Sequence, residues 1–111
     1  MATRTFKSNV GDTKPCDEIL EKESSPGSGT WAPIDLTGAT IVFLLVSSGG
    51  AVQTTAAATI LGTPTNGEVR YDWSGGGNAT AGTFGRRWRI TYPSGVVETV
   101  PDQGAYPVVF Q

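Results

Sequence analysis

Thr83-Phe84-Gly85-Arg86-Arg87-Trp88-Arg89-Ile90-Thr91-Tyr92 is the stretch that decides the fold class. Phe84, Trp88, Ile90 and Tyr92 fall on one parity, and Thr83, Gly85, Arg87, Arg89 and Thr91 on the other. Alternation at period two marks a strand with one buried and one wet face, because successive side chains of an extended chain point to opposite sides. Pro93-Ser94-Gly95 then signals a turn, and Val96-Val97-Glu98-Thr99-Val100 resumes extended structure, so 83–100 reads as a β-hairpin.

The same pattern recurs upstream. Val69, Tyr71 and Trp73 share one face, and Glu68, Arg70 and Asp72 the other, directly after Thr65-Asn66-Gly67. Asn-Gly supplies the positive φ angles of a tight primed turn, which predicts a second hairpin. Its incoming arm is 56–61, where three consecutive alanines suit a strand or a continuing helix turn. Ile41 to Val46 has no alternation and predicts a central strand covered on both faces. Phe6 to Val10, Asp17 to Lys22 and Tyr106 to Phe110 are further strand candidates, with a mobile loop expected over Glu23 to Thr30. Fifteen Gly and seven Pro interrupt the chain too often for long helices. About seven or eight short strands in 111 residues predict an all-β fold. Two antiparallel sheets packed as an immunoglobulin-like sandwich fit better than a closed barrel. The expected organisation is one domain over 11–111, preceded by an arm at 1–10 that orders only on assembly.

Composition narrows the function classes. Leu, Ile, Val and Phe supply 24 of the 111 residues, enough for one core, so the chain is expected to fold. A net charge of −2 lacks the basic excess of a nucleic-acid binder. The longest unbroken apolar run, Ile41 to Val46, is far too short to cross a membrane, and the first residues lack the apolar core of a secretory signal. A soluble protein made in a cytoplasm is expected. The chain has no histidine, hence neither the commonest general base nor the commonest metal ligand, and one cysteine, Cys16, precludes an internal disulfide or a thiolate zinc cluster. Asp17 and Glu18 are adjacent on an extended segment and point to opposite faces, so they cannot share a substrate, and Glu21 with Glu23 suits a solvated strand edge. Gly75-Gly76-Gly77 is followed by neither Lys-Ser nor Lys-Thr and reads as a flexible connection. No catalytic residue, cofactor or metal site is therefore expected.

Four residues stand out as interface candidates: Trp31, Arg86, Arg87 and Arg89. Alternation sends Arg87 and Arg89 outward and Trp88 inward, which leaves no aromatic platform for a nucleic acid in that strand. Arg86 breaks the pattern by sharing the parity of Phe84, Trp88 and Ile90. An unpaired buried guanidinium is very costly. Two solutions are open: a site near the sandwich end with the head in water or over a ring such as Trp73, or a pairing across a subunit contact. Trp31 is either a lid on the core or an exposed anchor for a partner or glycan.

Read in order, Gly11-Asp12-Thr13, Asp35-Leu36-Thr37-Gly38-Ala39-Thr40, Gly67-Glu68-Val69-Arg70-Tyr71-Asp72-Trp73, Ala81-Gly82-Thr83-Phe84 and Thr91-Tyr92-Pro93-Ser94-Gly95-Val96-Val97-Glu98-Thr99-Val100-Pro101 form a recognisable series. The series resembles the N-terminal domain of the phage baseplate upper protein family, and the likeness runs from Asp35 to Phe110. The resemblance implies an immunoglobulin-like sandwich in the virion of a tailed bacteriophage, an attachment module without enzymatic activity. It also implies that Thr37-Gly38 turns the chain into the core strand and that Trp73 and Phe84 fill the core. The chain ends with its last strand, where a full baseplate upper protein continues into trimerising segments, so a capsid decoration role stands beside the tail or baseplate role. The partners expected are other virion proteins, tail, baseplate or major capsid protein, contacted by a multi-copy or homo-oligomeric module, with no nucleic acid and no membrane. The alternative is a small carbohydrate-binding module that grips a host-surface glycan through Trp31 or Trp73.

Overall fold

The computed structural model describes residues 5–23, 27–73, 80–101 and 105–111, Glu23 in its backbone only. Those residues form ten strands and no α-helix: β1 Phe6–Ser8, β2 Cys16–Ile19, β3 Glu21–Glu23, β4 Trp31–Pro33, β5 Thr40–Ser47, β6 Val52–Ile60, β7 Glu68–Tyr71, β8 Gly82–Thr91, β9 Val97–Val100 and β10 Tyr106–Phe110. Eight of them make one sheet in the order β1-β10-β8-β5-β6-β7-β2, with β9 also on β8, and β3 and β4 pair separately. Every pairing is antiparallel except that of β1 with β10, which is parallel.

The sheet is not flat. β6 pairs with β5 as far as Ala58 and then with β7 through Thr59 and Ile60, so one strand joins the β5 side of the sheet to the β7 side. Its alanines are strand residues: Ala56 and Ala58 stand opposite Phe43 and Ile41, and small side chains there leave room for the rings. Phe43 of β5 stacks on Tyr71 of β7 with ring centroids 4.1 Å apart, and Trp73 and Trp88 meet Phe43 edge-on at 5.7 and 5.1 Å. Lys14, just before β2, lies over the Phe6 ring of β1, so the two ends of the sheet approach each other and the whole is nearly barrel-shaped.

The 83–100 hairpin forms as expected, β8 against β9. Its turn is a three-residue loop: the Gly95 N–H donates to Tyr92 O, the Tyr92 N–H donates to Val96 O, and Gly95 takes a φ of 89°. β10 pairs with the other half of β8, Arg86 opposite Tyr106 and Trp88 opposite Val100. Arg87 falls between the two pairings and stands opposite no residue of β9 or β10 among the described residues. Ala105 lies over the outer face, where a Cβ on Gly85 would come within 2.5 Å of the Ala105 methyl. That cover accounts for the unbroken apolar run Ile41 to Val46 within β5. Ile41, Phe43 and Leu45 face the main core, and Leu44 and Val46 are buried on the opposite side.

Two expectations need correction. The 67 turn is not a two-residue primed turn: Pro64–Asn66 forms one 3₁₀ turn, and only Gly67 has positive φ, at 67°. The Asp17–Lys22 segment is two strands, because Leu20 changes partner. Its N–H donates to Gly67 O, and its own carbonyl accepts from the Ile34 N–H, both at 2.8 Å. The Phe6–Val10 strand candidate is observed as β1, which pairs with β10 while Phe6 packs on Trp73; residues 1–4 lie outside the described residues, as do 24–26 of the expected loop. β4 was not foreseen at all, since its three residues, one of them Pro33, are all exposed and give no alternation to read.

Gly67 is the point where these backbone bonds meet. A Cβ there would stand 2.7 Å from the Leu20 carbonyl oxygen and 3.1 Å from both Ile34 N and Ile34 O. Left-handed backbone plus a clash with main-chain atoms leaves little room to relax. Gly67→Ala should therefore lower unfolding free energy by roughly 2–4 kcal/mol in urea titrations. Gly95→Ala, where no heavy atom lies within 4 Å of the added Cβ, should cost distinctly less.

Candidate interaction surface

Arg86 is 2% exposed and lies fully inside the molecule. Its Nε donates to Glu18 Oε1 at 2.8 Å, its Nη2 stands 2.7 Å from the same oxygen, its Nη1 donates to the Pro107 carbonyl at 2.7 Å, and the guanidinium sits 5.4 Å from the Tyr106 ring centroid. The expected contact with an aromatic ring is observed, with Tyr106 in the place of Trp73, whereas a head in water is corrected by the burial of Arg86. The countercharge comes from within the chain, from the buried Glu18 of β2 across the core, and Arg86 is withdrawn from any surface. The sequence did hold a signal: Glu18 shares the parity of Cys16 and Leu20, so two opposite charges break two apolar faces and require each other. Asp17, on the opposite face, is exposed and bonds Arg70 through both carboxylate oxygens, at 2.7 and 2.9 Å. The opposed directions expected of Asp17 and Glu18 are observed.

Cys16 is buried beside this pair, and burial pushes its thiol up to about 12, with the Arg86 charge acting weakly in the other direction. A thiol that remains protonated across the physiological range is a poor nucleophile. Tyr92 donates its hydroxyl to Glu98 Oε1 at 2.7 Å; burial, reinforced by that carboxylate, holds its pKa well above the usual phenol range. Asp35 is held below the usual carboxylate range by the side-chain and backbone bonds it accepts from Thr37. It is a turn residue: the Ala39 N–H donates to Leu36 O, Gly38 takes a φ of 73°, and a Cβ there would meet Pro93 Cγ at 2.9 Å. No group of three or more His, Cys, Asp or Glu able to hold a metal occurs among the described residues.

The other candidates reach the surface. Trp31, on β4, is 38% exposed. Trp73 is buried among Phe6, Phe43, Tyr71 and Phe110 and offers no face to a sugar. Trp88 is inside, with Arg89 outward and Arg87 half-covered, its Nη2 donating to the Pro101 carbonyl at 3.1 Å. Arg87 and Arg89 border an open cleft of about 330 Å³ on the outer face, floored by Leu44 and Val46 and walled by Val52, Thr99 and Ala105. Among the described residues its lining carries the guanidiniums of Arg87 and Arg89 and no carboxylate. The Gly75–Gly77 run lies outside the described residues.

Breaking the buried pair on one side should be severe. Glu18→Leu or Arg86→Met alone should cost about 3–5 kcal/mol, and the double variant much less, measured as a double-mutant cycle in denaturant. The Cys16 thiol gives a pH test. Its folded pKa lies above the unfolded value, so its contribution is complete below about pH 9 and fades as pH rises toward 12. Stability should fall over that window and fall less in Cys16→Ala, read from Tm against pH. In comparisons with known proteins, no protein-family model matches this chain and no curated protein matches it.

Proposed function

We propose that the chain is a non-enzymatic structural module of a tailed-bacteriophage virion, present in many copies and docked on the tail or baseplate, or on the capsid surface as a decoration protein. The observation that carries this reading is the use made of the motifs on which the family resemblance rests. Asp35-Leu36-Thr37-Gly38 forms a turn whose glycine lies under the Pro93 ring, Tyr71 and Trp73 close on Phe43, Phe84 meets Phe110, and Pro101 receives the Arg87 bond. These residues serve the framework, and the surface left over is polar side chains, a cationic cleft and strand edges. Attachment then works by shape and charge complementarity, with no bond made or broken.

An immunoglobulin-like sandwich is the finer form of the fold that this reading carries. Three features support it: β5 lies centrally in its layer, the first strand runs parallel to the last, and β2 is tied to β8 across the core. Antibody domains tie two facing strands with a disulfide, and here a buried ion pair occupies an analogous place. A carbohydrate-binding module is the second reading, favoured by the exposure of Trp31 alone.

Quantitative mass spectrometry of purified particles, with antibody-labelled electron microscopy, separates these. The virion reading expects many copies per particle at one symmetric location, and complete absence from infectious particles would refute it. On a glycan array, the virion reading expects no binding; retention by the wild type with loss in Trp31→Ala would establish the lectin reading.

A further inference from the structure

Among the described residues β9 is paired on one side only, with β8. Because the Tyr92 N–H bonds to Val96 O, alternation along the antiparallel ladder makes Glu98 and Val100 the residues bonded to β8. The N–H and C=O groups of Val97 and Thr99 point the other way, toward the open edge, and neither residue makes a further backbone bond among the described residues. Val96 and Val97 are 59% and 56% exposed, the two most exposed large apolar side chains among the described residues. Thr99 stands opposite Arg89 on the outer face, and Arg89, exposed, makes no ion pair among the described residues. Soluble proteins ordinarily blunt such an edge with outward charges or a proline, and Val97 and Thr99 do neither.

We propose that the β9 edge accepts an extended segment of a partner protein as an added strand, a segment with an apolar side chain against Val97 and a carboxylate within reach of Arg89. Backbone bonds to Val97 and Thr99 would fix its register, as in strand addition generally. The carboxylate is specified by charge: the exposed Arg89 guanidinium stands opposite Thr99 on the same face. The partner named under the proposed function is here given a chemistry. The inference rests on that reading only for where the partner resides, since strand addition is measured on the free protein.

The test is selection of a random nine-residue peptide library on the immobilised full chain. Enriched peptides should combine apolar residues with Asp or Glu. Their binding should drop at least tenfold in Arg89→Gln and in Thr99→Pro, a substitution that removes only an outward N–H, while Tm shows that both variants are folded. Hydrogen exchange should show Val97 and Thr99 amides fast in the free protein and slowed by peptide, with Glu98 and Val100 slow throughout. No enrichment, enrichment without acidic residues, or binding unchanged in both variants overturns the proposal. Self-association of the wild type that Thr99→Pro abolishes also overturns it, by making a second copy the occupant. Absence of the protein from particles would refute the virion reading and leave the peptide result standing.

Discussion

A guanidinium in an apolar core must have a countercharge, and most of the architecture is arranged around that requirement. Arg86 projects from β8 into the interior, takes Glu18 from β2 across the core, and donates to the Pro107 carbonyl of β10 beside the Tyr106 ring. One side chain thus links its own strand to two others. An apolar contact tolerates sliding; a charge-assisted pair with defined geometry does not. The pair fixes the approach of β2 to β8 and so the curl of the sheet, while the stack of Phe43 on Tyr71 fills the space beside it. Such a pair is a poor source of net stability, and its contribution here is to the choice of one arrangement.

Around that centre the polar groups divide by role. Glu18, Tyr92 and Asp35 are committed to partners within the chain, and Cys16 is sealed in as a neutral thiol. Arg87 and Arg89 point outward beside the cleft, and the β9 edge presents backbone groups and two valines. The interior groups thus satisfy one another, and the cationic and open-edge groups lie at the periphery.

Strands whose faces differ were legible in the sequence: Thr83 to Tyr92, the Val69-Tyr71-Trp73 stripe and the unalternating Ile41 to Val46 all appear as read. What period and turn chemistry cannot carry is partner identity. The break at Leu20 comes from exchanging Gly67 for Ile34 as backbone partner, a long-range choice without local trace. The exposed β4 has no apolar face to announce it. Asn66-Gly67 looked like a primed hairpin because the 3₁₀ turn begun by Pro64 uses the same glycine differently. Of the four surface candidates, three reach the surface and Arg86 does not. Its parity was read correctly, and the missing step was to match it with Glu18, the other charge on an apolar face.

The most direct measurement is nitrogen-15 NMR of the Arg86 side chain. A guanidinium held by Glu18 and shielded by the core should give a sharp Nε–H signal at neutral pH, with an Overhauser contact to the Tyr106 ring. That signal should persist in deuterated water long after the Nε–H of Arg89 has vanished. An Arg86 Nε–H that exchanges as quickly as that of Arg89, without the Tyr106 contact, would mean the pair does not tie β2 to β8.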